Sequence, residues 1–473
     1  MTKPTIILAT SNGVGMGHLA RASAIAVALK EIANPIIVSM AGGIADLPSY
    51  MGIRCEYIPG RDRGWMSREK WDKYLRDRLL ALVEETGATV LSFDGVAPYP
   101  GVIAAKNSNS NLALVWVRRG LWQKKPQRFV LGLQSRMMDQ IIEPGDIARE
   151  YDHGPTSTRR DAVLTSPVSL FQPSHAMSRE DARKALGLDL NRPTALVQLG
   201  TGDSDVNEKM SAALSGLLGW KDLQVVLTKA PTDKSGKSLA PDGLDIKVLR
   251  YFPLANVLHA FDAGVCATGY NGVHELLPAG IPTVFVSNIR GTDDQEARAQ
   301  WCHDRGFALR ADQSNLADIT EKVRQLQDSG TRERLSKKCK ELPASNGGAE
   351  IAKILFELAT KSNTNKPAKF TYARLIVQDH VNRGLRHVAN LGLRRIALVY
   401  RFLNPHIVTE IVKEAEPVFG DQTDAAQLRE LIRGEKRFEH LISGASEKYR
   451  NRRIEIAATA YGEIVLITKS RPL

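Results

Sequence analysis

Apolar residues along this chain cluster in short blocks of four to six positions, separated by longer stretches in which they recur every three or four positions. The blocks lie at 5–9, 35–39, 55–58, 88–93 and 112–117, and again at 194–199, 224–228, 246–249, 263–267 and 283–286. Blocks this short, bounded by turn residues, read as strands buried on both faces. Between them the helical period predicts helices over 19–29, 178–186, 206–217, 254–261, 273–277, 296–305, 316–329, 331–340 and 349–359. Strands alternating with helices predict an α/β fold with parallel sheets. The alternation pauses at 161–167, which divides the chain into domains at 1–163 and 164–361, and the last helix can cross back to the first domain. A polar, lysine-bearing stretch at 362–369 reads as a linker, and residues 362–473 as a basic accessory extension ending in a strand at 463–468.

The chemistry concentrates where strands give way to helices. After the block at 263–267, Gly269 and Gly272 open a turn with Thr268 and Asn271, and a helix begins at once. Unpaired N–H groups at such a helix start attract an anion, and small residues let a diphosphate approach the backbone. Glu275 lies about one turn into the helix, placed to accept both hydroxyls of a ribose beside that diphosphate. The pattern points to a nucleotide. A second glycine and hydroxyl loop, Gly200-Thr201-Gly202, follows the strand at 194–199. Near the N-terminus, a loop carrying Gly13, Gly15 and Gly17 precedes His18, with Arg21 one turn along the same helix face. A dinucleotide-binding unit competes for this loop. The ordinary pKa of histidine, about 6.5, suits His18 to general-base work, and capping or packing is the alternative. Arg118 and Arg119 follow the strand at 112–117. C-terminal strand ends in open parallel sheets face the ligand crevice, so this basic loop is a candidate for an anionic acceptor.

The run Gly269-Tyr270-Asn271 to Glu275, then Pro278-Ala279-Gly280-Ile281-Pro282 and Asp294-Gln295, resembles the donor signature of GT-B nucleotide-sugar glycosyltransferases. It is most similar to that of the lipid II-forming N-acetylglucosaminyltransferase family of peptidoglycan synthesis, and the resemblance covers about residues 5–360. It implies two Rossmann-like domains facing a cleft, the first for an acceptor and the second for the nucleotide sugar. By the same resemblance Thr268, Gly269, Asn271 and Gly272 hold the donor diphosphate, bordered by Gly200, Thr201 and Gly202. Glu275 holds the ribose, Asp294 and Gln295 the sugar hydroxyls, and the backbone near Phe252 the base, with a family lean to uracil. Gly15, Gly17, His18 and Arg21 fall in the acceptor domain, with His18 as base for an inverting transfer. Two departures stand out. Ala267 occupies the place of a phosphate-binding histidine in relatives of the plant type, and the lipid II enzyme is less basic over 118–125, which points to a different acceptor.

Composition narrows the setting. The chain has 473 residues, 43% hydrophobic and 25% charged, as expected of two or three globular domains. No apolar run is long enough to span a bilayer, and four scattered cysteines without a CxxC pair argue against a disulfide framework or structural zinc. The expected setting is cytoplasmic, at most peripheral to the inner face of the membrane. Net charge is +12, and residues from 362 on carry seven more Lys and Arg than Asp and Glu. That excess suits an anionic membrane surface, a lipid-linked or other anionic acceptor, or plain solubility. No zinc-finger or RNP-type motif points to nucleic acid. Trp65 and Trp71 stand among cations over 60–82, either at a headgroup layer or on a helix whose tryptophans face the core. No DxD pair calls for a metal, and Asp293 and Asp294 can instead cap the helix at 296–305. No cofactor is expected beyond the nucleotide-sugar co-substrate. A nucleotide-sugar hydrolase or 2-epimerase on the same fold, and a non-catalytic nucleotide-sugar-binding protein, remain alternatives.

Overall fold

The computed structural model describes residues 3–361, apart from 12–15, 42–43, 62–65, 124–127, 201–204, 229–240, 289–290 and 344, together with three strands further on. Gly15, Thr201, Gly202, Trp65 and the linker at 362–369 therefore lie outside the described residues.

The first domain runs β1 (Thr5–Thr10), α1 (Gly17–Leu29), β2 (Asn34–Ser39), β3 (Arg54–Tyr57), α2 (Arg68–Thr86), β4 (Val90–Asp94), α3 (Pro100–Ser108), β5 (Ala113–Val117), α4 (Arg128–Ser135), β6 (Gln140–Pro144) and β7 (Val163–Thr165). Its seven strands are all parallel, in the order β3-β2-β1-β4-β5-β6-β7. The central strands β4 and β5 are buried at every position, as inner strands of a parallel sheet covered on both faces are. Trp71, on α2, is fully buried.

The second domain runs α5 (Arg179–Leu186), β8 (Thr194–Gln198), α6 (Val206–Leu217), β9 (Gln224–Leu227), β10 (Asp245–Val248), β11 (Ala263–Ala267), α7 (Tyr270–Leu276), β12 (Thr283–Val286), α8 (Gln295–Asp304), β13 (Leu309–Ala311), α9 (Leu316–Arg324), α10 (Ser329–Cys339) and α11 (Gly347–Thr360). Its six parallel strands lie in the order β10-β9-β8-β11-β12-β13. The segment at 254–261 forms a 3-10 helix, Leu254–Ala260, rather than an α-helix. α7 begins three residues earlier than the apolar period suggests, at Tyr270, because Gly269 supplies an extended N-cap.

α11 belongs to the first domain by packing. Its Ile351, Ala352 and Leu355 sit in one apolar core with Ile6 and Leu8 of β1 and Leu19 and Ile25 of α1. The crossing segments run side by side: Gly347 N donates to Pro167 O at 3.1 Å, and Ser166 donates from N and Oγ to Glu350 at 2.8 and 2.6 Å.

The sheet order reverses between β1 and β4 in the first domain and between β8 and β11 in the second. Ligands of open parallel sheets bind at such switch points, beyond the strand C-termini. His18 and Asp94 lie at the first, Gly200 and Thr268 at the second.

The three further strands, β14 (Ile407–Val412), β15 (Arg452–Ala458) and β16 (Ile464–Ser470), form an antiparallel sheet of their own in the order β14-β16-β15. The strand expected at 463–468 is the central one. Among the described residues no helix is long and apolar enough to cross a membrane.

Candidate active site

β4 ends in Asp94, one residue from the turn, and α1 begins immediately beyond the glycine loop that follows β1. This brings Asp94 Oδ1 to 2.6 Å from His18 Nδ1. Arg21, one turn along α1, donates Nε to Asp94 Oδ2 at 2.9 Å and Nη2 to Oδ1 at 2.6 Å. Arg21 Nη2 also stands 2.9 Å from His18 Nδ1, and that nitrogen cannot donate to Asp94 and accept from Arg21 together. With Asp94 ionised, Nδ1 carries the proton and donates it to the carboxylate, which leaves Nε2 as the basic nitrogen. Burial tends to raise the Asp94 carboxyl, but Arg21 and then His18 outweigh it and hold it at about 2. Burial pushes His18 below its ordinary value; Asp94 opposes this, while Arg21 and Arg119 add to it. His18, 17% exposed, is thus neutral and oriented at neutral pH. Asp94 was not singled out in the sequence; the only signal was an acid at a strand C-terminus beside the switch point.

On the facing domain, Gly269 caps α7 and Thr268 is buried, its Oγ1 3.3 Å from Ser287 Oγ. The carbonyl of Thr268 accepts from Arg298 Nη1 at 2.8 Å, which fixes the donor turn to α8. Asn271 reaches across the cleft, its Nδ2 donating to Gly17 O at 3.2 Å, and its Oδ1 has no partner among the described residues. The two glycine loops therefore meet one residue from His18. Glu275 is part-buried, and desolvation pushes its carboxyl up to about 8, with no cation or donor among the described residues opposing it. Such a group is satisfied only when hydroxyls or another donor arrive. Gly200 adopts φ +83 at the end of the β8 connection, a conformation that favours glycine. Phe252 is part-buried just before the 3-10 helix.

Other expected residues are engaged elsewhere. Asp294 caps α8, its Oδ1 accepting from Ala297 N at 3.0 Å, so the capping alternative is realised. Gln295 is buried, and its Oε1 accepts from Asn288 N at 3.0 Å beside the donor turn. Asn288, which follows β12 and was not anticipated, donates Nδ2 to Leu199 O at 2.8 Å and keeps a buried, unpartnered Oδ1. Arg118 requires correction as an acceptor contact. It is fully buried, paired with Asp161 at 2.9 Å and packed over the Trp116 ring, because alternate residues at a strand end point to opposite faces. Arg119 points the other way and donates to Asp293 Oδ1 at 2.9 Å. Asp293 also receives Arg298, whose Nε and Nη2 hold Asp146 at 3.0 and 2.9 Å. Arg21, Arg119 and Arg298 are thus matched by Asp94, Asp146 and Asp293. No cluster of three or more His, Cys, Asp or Glu among the described residues is arranged to hold a metal ion.

Residues 200–371 match the family model described as the glycosyltransferase family 28 C-terminal domain. The UDP-N-acetylglucosamine--N-acetylmuramyl-(pentapeptide) pyrophosphoryl-undecaprenol N-acetylglucosamine transferase of Rhodococcus opacus (strain B4) is 23% identical over 393 residues, 76% of this chain and 98% of that protein. Its counterpart from Paenarthrobacter aurescens (strain TC1) is 29% identical over 190 residues, 38% of this chain and only 50% of that protein's length. Among solved structures, the glycotransferase of kitacinnamycin superposes with a TM-score of 0.52 at 17% identity, covering 76% of this chain and 100% of that one. Two parallel sheets with their switch points turned to one cleft give this chain the two-domain GT-B architecture. Within that class it carries a family 28 C-terminal domain, and its homologues include the N-acetylglucosamine transferases just described.

Proposed function

We propose that this chain transfers a sugar, with inversion, from a UDP-linked donor to a hydroxyl of a lipid-linked acceptor in cell-surface glycan synthesis. The observation that carries this reading is the hydrogen bond from Asn271 to Gly17, which puts the His18–Asp94 pair directly against the donor turn. His18 Nε2 takes the proton of the acceptor hydroxyl, and the oxygen attacks the anomeric carbon from the side opposite the nucleotide. The bond to the diphosphate breaks and its electron pair leaves with the phosphate oxygen. Thr268 and the free N–H groups of the first turn of α7 receive that charge, and Glu275 anchors the ribose. The unpartnered Oδ1 atoms of Asn271 and Asn288 are acceptors for sugar hydroxyls. The names of the relatives support UDP and a pyrophosphoryl-undecaprenol acceptor, and the basic balance of the chain suits work at an anionic lipid surface.

The test is a thermal-shift panel of UDP, GDP, dTDP and their sugar conjugates on wild type and Glu275→Ala, followed by UDP release with and without lipid-linked acceptor. A ligand at a hundred times its dissociation constant stabilises the fold by about 2.7 kcal/mol. Stabilisation by UDP-sugars in wild type only, with UDP release dependent on acceptor, is expected. Release of free sugar without acceptor would instead make the chain a hydrolase, and no nucleotide-dependent shift would remove the donor assignment. Sedimentation of the full chain with anionic but not neutral vesicles would support work at the membrane.

A further inference from the structure

Tyr270 opens α7, and its side chain is held by two backbone groups. Its hydroxyl accepts from Val168 N at 2.9 Å and donates to Gly145 O at 2.8 Å, which pins the ring to the segments that follow β7 and β6. The ring is 3% exposed, and His274 packs against it at 4.2 Å between centroids. Three guanidinium groups approach it: Arg21 at 5.3 Å from the ring centroid, Arg119 at 5.7 Å and Arg298 at 6.0 Å. Cations at these distances are attracted by the negative face of an aromatic ring, more strongly when desolvated. Arg21 is also the residue that brackets His18 and Asp94.

We infer that Tyr270 is a positioning residue for the proton-accepting pair: its ring, fixed by the hydroxyl, holds Arg21 against Asp94 and His18, so that the donor helix itself sets the basicity of His18. The inference rests on the transferase reading for its consequence but on the buried contacts for its geometry. Among the described residues, three groups bear on His18: Asp94 from β4, Arg21 from its own helix and Arg119 from the loop after β5. Tyr270 from α7 contacts both of the cations. Held in place, Arg21 keeps its charge beside Nδ1 and shares Asp94 with the ring, and both effects favour neutral imidazole. Weakening the attraction lets Arg21 relax away and leaves Asp94 to His18 alone, which raises the histidine.

Fluorination tests this without changing shape. Phenylalanine, difluorophenylalanine and trifluorophenylalanine placed at position 270 of the full chain progressively cancel the negative face of the ring. The readout is the titration of His18 by NMR, which needs no turnover, so it stands even if the transferase reading fails. His18 is expected to rise step by step through the series, by about half a unit in total. The acid limb of kcat/KM is expected to move to higher pH by the same amount, with donor KM unchanged. The Tyr270→Phe variant, the first member of the series, separates the hydroxyl from the ring: its loss is expected in stability and, because the ring is no longer pinned, as a small rise of the His18 titration against wild type. A His18 titration that stays the same across the fluorinated series would overturn the inference, whatever happens to kcat.

Discussion

His18 lies in a pocket whose charges are already balanced, so single substitutions there should separate chemistry from folding. His18→Ala is expected to lower kcat by about a hundredfold to ten-thousandfold with little change in donor KM, as removal of a general base does. Asp94→Asn should cost a comparable factor and shift the acid limb of kcat/KM to lower pH, because Asp94 is the group that raises His18. Steady-state pH profiles check both. Glu275 behaves in the opposite sense to Asp94. Its carboxyl, near 8 in the folded protein, has an ordinary value near 4.5 when unfolded, so the fold loses stability as pH rises through that window. Urea unfolding of Glu275→Gln should show no such loss: equal to wild type near pH 4 and more stable by on the order of 2 kcal/mol at pH 8, the figure being discounted for partial exposure. The same variant should bind UDP-sugar more weakly. The turn at Gly269 and the helix that carries Glu275 were legible because glycines, helix start and carboxylate lie within eight residues. Asp94 was not, since its partner His18 is 76 positions away and nothing local marks the pair. Arg118 misled because adjacent arginines at a strand end look alike in sequence and face opposite ways.

At the level of elements, the apolar blocks located the inner strands of both parallel sheets, because a strand buried on both faces is mostly apolar, whereas β6, β7 and β13 towards one edge of each sheet were not marked by them. Helix starts were less readable. The apolar period marks only the buried stripe, and the caps lie outside it, as with Gly269 before α7 and Asp294 before α8. The placement of α11 depends on a contact no periodicity reveals. A Cβ on Gly347 would stand 2.1 Å from Ser166 O and 2.5 Å from Pro167 O, so only glycine lets the helix begin against the other crossing segment. Gly347→Ala should destabilise the chain by about 1–3 kcal/mol through that overlap, read from the midpoint of urea unfolding. Peptide hydrogen exchange should place the loosened amides at the start of α11.

Across the whole molecule the two domains are joined by charge as much as by apolar contact. Arg298 is fully buried, donates to Asp146, Asp293 and the Thr268 carbonyl, and thereby connects α8, the segment after β6 and the donor turn. Removing one partner of such a group leaves uncompensated buried charge. Arg298→Met is expected to cost about 3–5 kcal/mol, with the loss greatest above the carboxylate range, where Asp146 stays ionised. Donor affinity should fall with it, because the turn loses its anchor. Urea unfolding and isothermal titration with UDP check the two effects. This network joins residues from 119 to 298, and no stretch of sequence shows it, since every member has an ordinary surface alternative.

The paired crossing segments carry one more consequence. Because residues 166–167 and 345–350 are hydrogen-bonded alongside each other, the domains are hung on two straps instead of one. A single tether would permit twisting in every direction; two side by side leave mainly a hinge axis running through both, along which the cleft can gape while the loops on either lip stay in register. A protease that severs one strap should therefore leave two fragments that elute together and still close.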